Sequence, residues 1–452
     1  MAVCHIWLAL TRCETSFCRL SFHRWKSSLV KQRWASERKK NPRFLAVQYF
    51  DMCYTPVYKE KWPSIRLGLL SDPKYAAVIN SMAADGSVYE NLLQLGTFEL
   101  FDQIRCSSAG GINESFLLKP EPIEPLEEYQ KPVESFSVAD ISRRDERAMT
   151  EFIQPTKFIA KSVFPIDTTE MSGMEFLSAK PVIPQVSIVP YEVQYPQNLK
   201  VMLFPPGDIS TFPPSHATAG GSLAYYLLDV ASVLPVIALD LKPGETVLDM
   251  CASPGGKTIL MLCTLLPGLL ACNDFDPRRF SRLKRTLQFY VPTDSELRRK
   301  IVLKRKDAAN EEWDELEQYD KILVDAPCTS DRLSSEDDMN LFKRSRMEER
   351  IGLPLVQISL IRNGLRSLKP GGSLVYSTCT LSPVQNDAVI ESVMQQEDAD
   401  SKVAVCDLSS VAWPLQRSGI FHFHHCRYGL QVIPSVLSNC GPMYVCKLLK
   451  MT

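Results

Sequence analysis

The sequence predicts an α/β protein built on a mostly parallel sheet with helices on both faces, preceded by a helical N-terminal extension. Three observations predict it. From about residue 204, apolar runs of strand length alternate with amphipathic runs of helix length. The first strand-like run leads into a glycine loop that opens a helix. Acids and cysteines recur at the carboxyl ends of the strand-like runs, where ligands bind in such sheets.

Residues 44–104 carry apolar residues at helical spacing, and Asp72 with Pro73 reads as a helix start. Residues 107–200 read as a linker or insertion. Ten prolines lie between Pro120 and Pro196, mixed with Glu, Ser and Lys. Within it VSIVPYEV is apolar enough to dock elsewhere. A loop over 204–222 then leads into an expected helix, LAYYLLDVASVLPVIAL. Strands are expected at ETVLDMCA, LLACNDF, KIVLKRKDA, KILVDAP, SLVYSTCT and MYVCKLLK. Helices are expected at GKTILMLCTLL, PRRFSRLKRTLQFY, LPLVQISLIRNGLRSL and SPVQNDAVIESVMQQ.

Composition narrows the class. The formal net charge of −1 rules out a chain that is basic throughout, so contact with nucleic acid needs local patches or a partner. No apolar run reaches the roughly 18 residues of a membrane-spanning helix. The 14 cysteines form no CxxC pair, which speaks against a zinc ribbon or a disulfide scaffold. The first 36 residues hold six Arg or Lys and one acid, Glu14, with Ser interleaved. That is the composition of a mitochondrial presequence, with a basic tail or RNA-binding arm as the alternative.

Asp249-Met-Cys251-Ala-Ser253-Pro-Gly255-Gly256-Lys257 follows the first strand. It is neither a P-loop nor GxGxxG. Asp274 ends the second strand, placed for the two hydroxyls of a ribose. Asp307 ends the third, where a carboxylate can meet an adenine amino group, and Arg279 offers a further contact. Together these predict an adenosine cofactor, NAD or S-adenosylmethionine.

Two cysteines decide between them. Asp325-Ala-Pro-Cys328 ends the fourth strand and Ser377-Thr-Cys379 the fifth, so neighbouring strands bring the thiols together. A thiol at that edge is a nucleophile candidate. C5 of cytosine is a poor nucleophile until a thiolate adds to C6, and C5 can then accept a sulfonium methyl. Asp325 is placed to assist at N3, and a second thiol can assist release.

CASPGGK, ND, DAPCTSDR, PGGSLVYSTCT and GPMYVCK resemble the NOP/Sun (NSUN) family of RNA cytosine-C5 methyltransferases over residues 204–450. The resemblance implies a Rossmann-like class I fold with a mostly parallel seven-stranded sheet, and a methyltransferase domain over 204–452. It implies Cys379 as nucleophile and Cys328 as the cysteine that promotes release. Contacts to S-adenosylmethionine fall on Gly255, Gly256, Lys257, Asp274, Arg279, Asp307 and Asp325. Ser253 stands where the family usually has Ala, and Ala308 where Gly often follows the third-strand acid.

YFDMCYTPVYKEKWPSIRLGLLSDPKYAAVIN and the FPPS…GGSL segment resemble the mitochondrial ribosomal-RNA branch. That branch implies the matrix, small-subunit rRNA as substrate, ribosome assembly intermediates, and a partner of the mitochondrial transcription-termination-factor (MTERF) type. Alternatives are a non-catalytic RNA-binding assembly scaffold and a tRNA or mRNA methyltransferase. Lys343, Arg344, Arg346 and Arg350 read as a phosphate contact or a solvated face. His422, His424 and His425 read as a surface strand or loop, with no metal.

Overall fold

The computed structural model describes residues 41–83, 86–108, 186–293, 295–396 and 403–451. The expected presequence and residues 109–185 of the expected insertion lie outside them. Fourteen strands form two sheets: β1 Tyr75–Ile79, β2 Phe98–Glu99, β3 Ile188–Pro190, β4 Val201–Leu203, β5 Tyr225–Asp229, β6 Thr246–Asp249, β7 Leu269–Asn273, β8 Ile301–Lys304, β9 Tyr319–Asp325, β10 Leu368–Thr378, β11 Val403–Asp407, β12 Phe423–His425, β13 Leu430–Val432 and β14 Met443–Lys450.

The larger sheet contains the predicted core in the order β8-β7-β6-β9-β10-β14, with β11 on the far side of part of β14. The first five of these strands are mutually parallel, and β14 is antiparallel to both neighbours. β3, from the apolar piece of the expected linker, docks parallel to β11. β12 and β13 continue the sheet antiparallel beyond β14.

Successive side chains of a strand point to opposite faces, and the core follows that rule. Leu323 and Val375 join Leu234, Ile237, Ile259 and Leu283 on one face. Ile322, Val324, Leu374 and Tyr376 join Leu360, Ile361, Leu365 and Ile390 on the other. Both faces are covered by helices, so these strands read as continuous apolar runs rather than alternating ones.

Several segments depart from the sequence expectation, among them Phe98–Glu99, which lies in a stretch read as helical and is β2, pairing with β4. YAAVI, read as helical, is β1, and Ser71–Lys74 is a connection in which Lys74 N–H donates to Asn439 O. LAYYLLDVASVLPVIAL is not one helix. Its first part is β5, and a 3₁₀ turn capped by Asp229 precedes the helix Val233–Leu239. In both cases tertiary pairing overrides periodicity: β1 lies between β4 and β5 in a four-stranded antiparallel sheet, β2-β4-β1-β5. β11 was not anticipated, because VAVCD is short and follows no turn signal.

The N-terminal helix Pro42–Tyr58 is amphipathic at a spacing of four. Ala46, Phe50, Tyr54 and Tyr58, then Trp62 and Ile65 of Trp62–Leu70, pack on Phe342 and Leu381. Leu381 lies two residues beyond Cys379, so this helix braces the strand-end loop that carries Cys379. Phe50 stacks on Tyr54 at 5.4 Å and meets Phe342 edge-on at 5.4 Å. Phe50→Ala is expected to cost about 3 kcal/mol of stability, read by denaturant unfolding. An unchanged transition would mean the helix is not part of the cooperative fold.

Candidate active site

The loop after β6 turns sharply. Gly255 sits at φ +109°, where side chains are strained, and a Cβ on Gly256 would meet the Tyr226 ring at 3.2 Å. The helix Gly256–Cys263 starts there and carries Lys257 inward. Lys257 Nζ donates to Asp325 Oδ2 at 2.8 Å, and Ser377 Oγ donates to Asp325 Oδ1 at 2.8 Å. Burial works against the Lys257 charge, but Asp325 outweighs it and raises the pKa.

Cys328 and Cys379 meet as expected. Their sulfurs are 3.4 Å apart, and Cys379 N–H donates to Cys328 Sγ. Ser330 Oγ lies 3.2 Å from Cys379 Sγ and 3.7 Å from Cys328 Sγ. Hydrogen bonding from Cys328 lowers the Cys379 pKa, aided by Ser330 and Lys257, while burial and Asp325 oppose it. The same hydrogen bond, with burial, pushes Cys328 up. With Lys257 adding its charge on the Cys379 side, the balance favours the charge on Cys379 over Cys328.

A buried carboxylate fixes both loops. Asp331 is fully buried and accepts from Tyr54 OH at 2.8 Å, Thr329 Oγ1 and Thr380 Oγ1 at 2.9 Å, and Leu381 N–H at 2.7 Å. Arg332 donates to backbone oxygens of Gly68, Leu69, Ser71 and Gly441 and to Asn439 Oδ1. Both residues stand in the DAPCTSDR motif, where nothing local marks them as structural ties.

A cavity of about 250 Å³ opens beside Lys257 and Asp325, lined also by Tyr226, Ser232, Asp249 and Ser253. Asp249 is 1% exposed; Thr258 donates to its Oδ2, and its Oδ1 has no partner. Burial raises this carboxyl to about 7. A buried acid with an orphan oxygen beside a cavity is what a cationic ligand would complete. S-adenosylmethionine, with its sulfonium and amino groups, fits that chemistry. Asp249, the first residue of the glycine-loop motif, is the polar group that sequence reasoning did not single out.

The other expected cofactor residues are placed differently. Asp274 is buried and accepts from Arg279 Nε at 3.1 Å, Ser253 N–H at 3.2 Å and Asp276 N–H at 3.2 Å. Arg279 Nη2 also donates to Ser253 O at 2.9 Å. Ser253 Oγ donates to Arg279 O at 2.7 Å, so its hydroxyl ties the glycine loop to the helix Pro277–Tyr290. Asp307 lies exposed three residues past β8, accepting from Ala309 N–H. The structure thus brings Gly256, Lys257, Asp325, Cys328 and Cys379 together and sets Asp274 and Arg279 as braces behind the loop.

Of the basic run, Arg346 pairs with Glu349, and the Arg350 guanidinium covers the Tyr49 and Phe342 rings at 5.0 Å each. His424 packs edge-on against Tyr58 at 5.0 Å, and burial pushes it down to about 4.

Two measurements follow from this geometry. Cys328→Ala removes the main support of the Cys379 thiolate, so the pH midpoint for alkylation of Cys379 should move up; an unmoved midpoint would assign the thiolate to other causes. The Asp249 carboxyl lies above the ordinary 3.8 in the folded state, so ionising it opposes folding. Stability without cofactor should therefore fall as pH rises from about 4 to 7, and Asp249→Asn should flatten that slope. An identical slope in the variant would remove Asp249 as its source.

Residues 236–448 match the family model of the 16S rRNA methyltransferase RsmB/F. The chain is 37% identical to the 5-cytosine rRNA methyltransferase nsun-4 of Caenorhabditis elegans, over 95% of this chain and 96% of that one. It is 36% identical to the 5-cytosine rRNA methyltransferase NSUN4 of Bos taurus, over 93% of each. Its fold is shared with a methyltransferase homolog protein from Pyrococcus horikoshii, at TM-score 0.50 and 17% identity, covering 91% of this chain and 99% of that one. With a glycine loop, a paired Lys257–Asp325 and two touching cysteines at the carboxyl edge of a class I sheet, the chain belongs to the RsmB/F and NSUN4 family of S-adenosylmethionine-dependent RNA cytosine-5 methyltransferases.

Proposed function

We propose that this chain methylates C5 of a cytosine in mitochondrial small-subunit rRNA, through a covalent adduct between Cys379 and C6. The observation that carries the reading is the 3.4 Å contact between Cys328 and Cys379, a hydrogen bond that lowers the Cys379 pKa. Near-full-length similarity to rRNA methyltransferases of one branch supports the substrate. The basic, acid-poor first 36 residues support the mitochondrial matrix, and the same branch supports a role in ribosome assembly with an MTERF-type partner.

S-adenosylmethionine, when bound by the glycine loop, Lys257 and Asp249, supplies the methyl group. Cys379 Sγ adds to C6 of the cytosine, forming the C6–S bond and pushing electron density toward N3 and C5. Asp325 holds the N3 edge of the base, and Lys257 beside it keeps a proton available. C5 becomes nucleophilic and is methylated. Cys328, after giving its own thiol proton to solvent, then accepts the C5 proton; the C5–H electron pair forms the C5–C6 double bond, and the C6–S bond breaks with its pair returning to Cys379 Sγ. The buried setting keeps water from competing and strengthens each electrostatic contact.

Cys379→Ala should abolish methyl transfer while cofactor affinity stays within about twofold, read by radiolabel incorporation and by equilibrium binding. Normal turnover by this variant would sink the mechanism. Cys328→Ala should accumulate a covalent protein–RNA species on a denaturing gel. Its complete absence, with Cys379 intact, would remove the release role of Cys328.

A further inference from the structure

The β8 edge of the sheet carries charge that the active site does not use. The helix Pro277–Tyr290 buries Leu283, Leu287 and Tyr290 and exposes Arg278, Arg282 and Arg285. The chain then exposes Arg298 and Arg299 before β8 and Arg305 just after it. Among the described residues, no carboxylate forms an ion pair with any of these six arginines. Exposed arginines elsewhere do find acids, as in Arg43–Asp338 and Arg427–Glu391, and so does half-buried Arg66 with Asp51.

Position gives the six a common direction. β8 is parallel to β7 and ends at the cofactor side, where Asp274 N–H donates to Lys304 O. Arg278 and Arg305 therefore sit at the catalytic end of this edge. Arg298 and Arg299 sit at the opposite end, where Leu270 N–H donates to Lys300 O. The 14-residue helix alone spans about 20 Å, enough for several successive phosphates. Phe289, 51% exposed on the same helix, adds a ring on which a base can stack. A hollow of about 330 Å³ lies between Thr293, Ser295, Arg298 and Arg299.

Concentrating unpaired arginines costs self-repulsion, and in a chain of formal net charge −1 it is not the result of a generally basic surface. Guanidinium groups bind phosphate oxygens in a bidentate fork. We infer that this edge is a docking surface for the phosphate backbone of the RNA substrate. It carries a flank of the strand whose target cytosine enters the cysteine site. The inference rests on the RNA methyltransferase reading proposed above.

The test is the full-length triple variant Arg282→Glu/Arg285→Glu/Arg299→Glu against wild type, with a labelled small-subunit rRNA fragment across a salt series. The variant should bind the fragment at least tenfold more weakly at low salt. Its slope of log affinity against log salt should be shallower by about two to three. Cofactor affinity, melting temperature and kcat at saturating RNA should match wild type, so the loss appears in KM. Equal RNA affinity and slope in the two proteins would overturn the docking surface and leave the stripe to an acidic protein partner. A wild type that neither binds nor methylates RNA would instead overturn the reading on which the inference rests.

Discussion

Two sulfurs on two separate loops have to stay within contact distance, and the buried carboxylate of Asp331 is the constraint that keeps them there. It accepts from the Cys328 loop through Thr329, from the Cys379 loop through Thr380 and Leu381, and from the N-terminal helix through Tyr54. A buried acid short of donors would be costly, so each of these segments is held by the need to satisfy it. This explains why a helix whose Tyr54 is 277 residues from Asp331 in sequence belongs to the edge that carries the two cysteines. Its aromatic stripe is the back wall of the loop that carries Cys379.

Within that frame the two thiols become unequal. Chemically identical groups divide one proton according to their surroundings; the hydrogen bond from Cys328 lowers Cys379, and the Lys257 charge adds to that direction. Asp325 opposes that charge, but Lys257 is bonded to it and limits the effect. The ion pair thus does two things at once: it holds the Asp325 carboxylate at the rim of the cavity and offsets its effect on the Cys379 thiol. The cofactor side is built on the same principle. Asp249 is left with an unpartnered oxygen, and Asp274 and Arg279 also hold the glycine loop through Ser253.

Much of the sheet and both cysteines were legible because strand-end chemistry in an α/β fold is local: strand, loop and reactive residue lie within a few positions. What the sequence hid depends on long-range pairing. YAAVI carries no mark that β4 and β5 will flank it, and LAYYLLDVASVLPVIAL keeps helical periodicity through a strand and a turn. Asp331 and Arg332 look like loop polar residues beside Cys328, and their role appears only when Tyr54, Leu381 and the 439–441 loop arrive around them. Ser253 looks like a departure from family habit, and its hydroxyl turns out to be used. Asp249 could have been suspected, since an acid closing a fully apolar strand is expensive to bury without purpose.

The account turns on which cysteine attacks the base. RNA carrying 5-fluorocytosine at its cytosines gives an enzyme no C5 proton to remove, so the adduct formed during methyl transfer should persist. Digestion of the trapped complex of the wild-type chain, followed by mass spectrometry, locates the linked residue. Methylated 5-fluorocytosine is expected on the peptide containing Cys379, with Cys328 unmodified. Attachment at Cys328 would contradict it.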